Sequence, residues 1–333
     1  MRCKESFERP SCVKATCSGA AAIGFWAMGA VLFCQLKRIP PFQLLALLQV
    51  AGGLIGILLG ILLGRRQRPW RRLVKRFMCG WPYLLLLMAN QIGYTLAFRL
   101  APAAQVDLIY YTWPIMMVLA KASCQSQSLS KNQYFGLFLG FVSLIILVNP
   151  EIRQEGIQSD YFIGYITALL AGGGWVAYTL LNDNYTTQEQ KETSLVEDIF
   201  LVGLMSCFIQ SLNGGWIYLD TREVVILSVL SASVYGIAYP LWAYGVTHGK
   251  YTVMGGMANA TPVLSVLCLV GGGMAELTTE ILVSGVLVTA GCCFLTMSRV
   301  QITVRKRHFV NLYSRSDPSL SPSWVLRLLP QNL

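Results

Sequence analysis

Ten stretches of roughly 20 predominantly apolar residues recur along the chain. Each is long enough to cross the hydrocarbon core of a bilayer, about 30 Å thick, as a helix. They fall at about 15–36, 41–64, 77–98, 104–124, 132–149, 161–182, 195–214, 224–246, 252–273 and 280–298. Hydrophobic residues make up 54% of the chain and charged residues only 13%, with a mean hydropathy of +0.53. A soluble domain could not hide so much apolar surface, so the expected class is an all-α polytopic membrane protein. A basic start (Arg2, Lys4, Arg9, Lys14) precedes the first stretch, as in a signal peptide. The apolar run is too long for that, and no small-residue cleavage site follows, so an uncleaved span is expected.

The net charge of +10 does not point to nucleic acid, because the basic residues crowd beside the spans. Arg65, Arg66, Arg68, Arg71, Arg72, Lys75 and Arg76 share one short loop. With ten spans both termini lie on one side, which holds 20 Lys and Arg against five on the other, Lys121 inside span four aside. The bias puts both termini in the cytoplasm. The organisation follows: a cytoplasmic N-terminus (1–14), five spans (15–149), a connecting loop (150–160), five more spans (161–298) and a Ser/Pro-rich tail (299–333) that reads as disordered.

The two sets of spans resemble each other. "GFWA" at 24–27 recurs as "GGWVA" at 173–177, placing Trp26 on Trp175 at an offset of 149. "WPIMMVL" at 113–119 recurs as "TPVLSVL" at 261–267, placing Pro114 on Pro262 at 148, and Gly136 falls on Gly285 at 149. Five spans per half force the second half to enter from the opposite side. The result is a 5+5 inverted repeat, the architecture of many secondary transporters, with the substrate site near the midplane between the halves.

Polar and aromatic residues deep in the spans then mark a central cavity. Asn90, Gln91 and Asn259 need partners that lipid does not offer. Trp26, Trp113 and Trp175 lie mid-span rather than in interfacial belts. Tyr94, Tyr110, Tyr178, Tyr239 and Trp242 complete the set, each of which could also be a satisfied core residue. On a helix Asp107, Tyr110, Tyr111 and Pro114 share a face, so Asp107 is expected to look into the cavity, with an ion pair to Arg99 as the alternative. The matched Pro114 and Pro262 are expected to interrupt spans four and nine and to serve helix shape or gating. Gly52, Gly56, Gly60 and Gly64 strip one face of span two for close helix packing, within a monomer or, alternatively, across a dimer.

The chemistry of an enzyme is missing from the motifs. There is no GxSxG, Walker A or HExxH, and the ten cysteines and two histidines form no metal-ligand pattern. No catalytic residue, cofactor or metal is expected, and the remaining alternatives are a membrane enzyme, a channel or an embedded interaction protein.

These features resemble the drug/metabolite transporter superfamily over residues 15–298. Within it, "YYTWPIMMVLA", "IAYPLWAYGVTHG" and "NATPVLSVL" are similar to segments of bacterial aromatic amino acid exporters. The resemblance implies an inner-membrane carrier of a small metabolite, with a cavity lined by spans one, three, four, six, eight and nine. The chain departs from those exporters in having Asp107 for a small neutral residue, and Asn90 and Asn259 for aromatics. An acidic, amide-rich cavity would suit S-adenosylmethionine, exchanged for S-adenosylhomocysteine by another branch of the superfamily. That exchange is the main expectation here, and export of an aromatic amino acid is the alternative.

Overall fold

In a computed structural model, residues 12–62, 69–124, 129–154, 159–185, 188–249 and 251–297 are described. They all fall within one compact unit, Met1–Ser298; the second unit, Arg299–Leu333, lies outside them, as do residues 1–11 and the first part of the basic loop. Expectations for the tail and for the position of the termini therefore fall outside the described residues.

The described residues form helices and no strand. The helices are α1 (Cys12–Cys34), α2 (Pro41–Leu62), α3 (Pro69–Cys79), α4 (Trp81–Leu100), α5 (Ala103–Tyr110), α6 (Trp113–Cys124) and α7 (Lys131–Gln154). There follow α8 (Ser159–Tyr185), α9 (Gln188–Asn213), α10 (Thr221–Leu230), a π-helical segment (Ser231–Ala238), α11 (Tyr239–His248), α12 (Tyr251–Gly271) and α13 (Thr279–Met297). Helix covers each of the ten apolar stretches. Five segments are by themselves long and apolar enough to cross a membrane: Cys12–Cys34, Pro41–Leu62, Asp160–Asn182, Leu195–Asn213 and Thr221–Gly245. Three shorter apolar helices accompany them.

Span four departs from a kinked helix: it is broken between α5 and α6, with Pro114 in the first turn of α6. Proline suits that position, because the first turn leaves N–H groups without helical acceptors anyway. The Tyr110 carbonyl, four residues earlier, faces α8, where a Cβ on Gly172 would sit 3.2 Å from it. Pro262, by contrast, lies inside a continuous α12. The matched prolines therefore do different things, and only Pro114 interrupts its span.

Close packing runs through small residues in antiparallel pairs. Gly53 lies against Phe200 and Gly203 against Gln49 and Val50, joining α2 to α9. Gly136 and Gly291 face each other's carbonyls, and Ser143 and Ser284 exchange hydroxyl-to-carbonyl bonds of 3.0 and 3.1 Å, joining α7 to α13. Gly19 meets Gly245 in α1 and α11, and Gly93 meets Ala171 in α4 and α8. Gly52 and Gly56 abut Tyr235 and Val196, so that part of the glycine face is used inside the protomer.

Candidate functional site

A cavity of about 160 Å³ opens among α1, α4, α5–α6, α8, the π segment with α11, and α12. That is well above the roughly 10–15 Å³ a single water needs. Of the residues singled out in the sequence, Trp26, Asn90, Gln91, Tyr94, Tyr110, Trp113, Trp175, Tyr239 and Trp242 line it. Among the described residues, no Asp, Glu, Lys, Arg or His lines it.

One wall is aromatic. The Trp26 ring lies 5.4 Å from both Tyr239 and Trp242, in tilted contacts. Its indole Nε1 is buried and has no hydrogen-bond partner within the described protein. Trp113 and Trp175 meet edge to face at 6.4 Å. The repeat carries Trp26 onto Trp175, but it carries Tyr239 onto Asn90 and Trp242 onto Gly93. The second half thus supplies rings where the first supplies an amide and a gap, and the cavity is chemically lopsided.

The lining also holds a chain of amides and phenols. Asn90 Nδ2 donates to the Ala171 carbonyl at 2.8 Å and to the Tyr110 hydroxyl at 3.2 Å. Gln91 Nε2 donates to Asn90 Oδ1 at 3.2 Å, and Tyr235 donates to Gln91 Oε1 at 3.1 Å. Such a network fixes each amide in one orientation and presents its remaining donors and acceptors predictably.

Three expected residues sit elsewhere. Asp107 is fully buried and does not line the cavity; it lies behind Tyr94, whose hydroxyl donates to its Oδ1 at 3.2 Å. The break after Tyr110 explains the difference, because the shared face assumed an unbroken helix. The ion pair with Arg99 is not formed either: Arg99 donates to the Ile39 carbonyl. Tyr178 is buried behind Trp175, stacked on it at 5.6 Å, and donates to Asp198 at 2.8 Å. Asn259 turns toward α13, its Nδ2 3.9 Å from Cys293 Sγ, while its neighbours Ala258 and Thr261 line the cavity.

The sequence reading missed Phe33, Val234 and Tyr235 on the wall. The signal for Tyr235 was its spacing, four residues before Tyr239. The π segment widens the helix there, and such insertions often mark functional sites.

Ionic clasps lie at two ends of the bundle. Arg38 grips both carboxylate oxygens of Glu223, with Nε to Oε1 at 2.8 Å. Glu223 also closes a capping box with Asp220 at the start of α10. At the α3 end, Arg76 makes two 2.6 Å bonds to Asp198 and a third to Asn182.

The chain is similar to known proteins. Residues 14–149 match the EamA-like transporter family. The aromatic amino acid exporter YddG of Ancylobacter novellus is 26% identical over 288 residues, which are 85% of this chain and 97% of that protein. The protein of the same name in Salmonella typhimurium is 24% identical, over 76% of this chain and 86% of its own. A solved crystal structure, 26% identical, superposes with a TM-score of 0.61 over 85% of this chain and 96% of its own. The resemblance to the drug/metabolite transporter superfamily therefore stands.

Proposed function

We propose that this chain is a multi-pass secondary transporter that exports an aromatic amino acid by alternating access. It is not an enzyme in this reading. Its ten spans form two inverted halves, with both termini in the cytoplasm of a bacterium. The packing supports the inverted halves. Exchanging them carries the α1–α11 pair onto α8–α4, and leaves the pairs α2–α9 and α7–α13 unchanged. All four are in contact.

The observation that carries the substrate reading is a cavity lined mostly by rings and amides, with no charged residue among the described lining residues. Rings stack an aromatic side chain, each pair worth about 0.5–1.5 kcal/mol beyond area burial. The amide network suits the carboxylate and ammonium of a zwitterion whose net charge is zero. The relatives' names point the same way. S-adenosylmethionine exchange is the weaker reading, because Asp107, expected to offset the sulfonium charge, lies behind Tyr94 and the relatives are named as aromatic amino acid exporters.

The test is counterflow in proteoliposomes. Vesicles loaded with unlabelled tryptophan or phenylalanine should accumulate the labelled amino acid with saturation. Uptake inhibited by S-adenosylmethionine and not by the aromatic amino acids would reverse the assignment. Chemical conversion of the label would point to an enzyme.

A further inference from the structure

Helix α3 divides its residues among three directions. Leu73 is buried, and Arg72 and Arg76 turn inward, Arg72 Nε at 3.4 Å from Glu197 Oε1 and Arg76 clasping Asp198. Trp70, Val74, Phe77 and Met78 form a second face at i, i+4, i+7 and i+8, and are 71%, 59%, 55% and 71% exposed. Arg71 and Lys75, one turn apart, are exposed beside that stripe. Large apolar side chains so exposed on a charged helix are costly in water and favourable at a membrane interface.

We propose that α3 docks on the headgroups of anionic phospholipids, with Arg71 and Lys75 meeting phosphates and the stripe from Trp70 to Met78 entering the acyl boundary. The proposal rests on the membrane reading above but not on any substrate. Charge complementarity selects the occupant: the chain brings Arg65, Arg66 and Arg68 to the same short loop, with no acidic residue between positions 65 and 79. The apolar stripe selects lipid over a soluble polyanion, which would leave those four side chains in water. The inward clasp matters too. By committing Arg72 and Arg76 to Glu197 and Asp198, it fixes which side of the helix faces outward.

The test uses the purified full-length protein in a neutral detergent and reads thermal stability, so it is independent of transport. Phosphatidylglycerol should raise the Tm more than phosphatidylcholine does at equal concentration. Basic residues near an anionic surface each contribute roughly fivefold in affinity. The half-saturating phosphatidylglycerol concentration should therefore rise about 25-fold in the Arg71→Gln/Lys75→Gln double variant. It should stay unchanged in Arg71→Lys/Lys75→Arg and in Lys131→Gln, a basic residue outside α3. As a second readout, brominated phosphatidylglycerol should quench fluorescence in the wild type more than in Trp70→Phe. Equal stabilisation by the two lipids would overturn the proposal. So would equal stabilisation by soluble inositol hexaphosphate, or a lipid preference untouched by the double variant. Failure of the counterflow assay with this preference intact would sink only the transport reading.

Discussion

Arg76 and Asp198 are joined by two hydrogen bonds of 2.6 Å, and the carboxylate has no exposed surface. Tyr178 donates to the same carboxylate from beneath Trp175. A ring on the cavity wall is thus braced, through one phenol and one carboxylate, against a helix at the end of the bundle.

Breaking that pair should be severe. Removing one partner of a buried ion pair strands the other, at about 3–5 kcal/mol. Asp198→Asn and Arg76→Gln should each lower the Tm by many degrees. The Arg76→Leu/Asp198→Leu double variant should lose less than the two single losses added together. Additive losses in thermal unfolding would show that the clasp contributes little.

Trp26 should act through its ring, which lines the cavity against Tyr239 and Trp242. Trp26→Phe keeps a ring and should weaken binding of an aromatic amino acid only slightly. Trp26→Ala should lose a further several-fold. Isothermal titration of the purified variants measures both. Wild-type affinity in Trp26→Ala would remove this residue from the site.

Asp107 should not select ligands by charge. Because it meets Tyr94 rather than the cavity, Asp107→Asn should affect a neutral aromatic amino acid and a cationic ligand such as S-adenosylmethionine by the same factor. A tenfold larger loss for the cation in parallel binding assays would place the carboxylate against the ligand after all.

The charge bias gives a topological prediction. In a cysteine-free background, Lys75→Cys should resist an impermeant thiol reagent in intact cells, while Lys37→Cys reacts. The reverse pattern would invert the whole assignment.

Much of this was legible in the sequence because lipid imposes one length scale. All ten apolar stretches are helical, and nine of the twelve expected binding residues line one cavity. The misplacements share a cause: facing arguments hold only while a helix is continuous. The break at 111–112 leaves Tyr110 and Tyr111 on the wall and Asp107 behind it. The sequence reading makes residues 65–76 a short loop, whereas Pro69–Cys79 is helical and its apolar residues have helical spacing. Asp198 escaped attention because a carboxylate near a span's edge looks solvated until the fold brings Arg76 over it.

The absence of formal charge among the described residues of the cavity wall reaches beyond recognition. Each elementary charge carried across a membrane exchanges about 2.3 kcal/mol with a potential of 100 mV. A neutral chamber holding a zwitterion carries none. Movement of such a solute would be indifferent to voltage, so its direction would follow the concentrations on the two sides, unless an ion travelled with it.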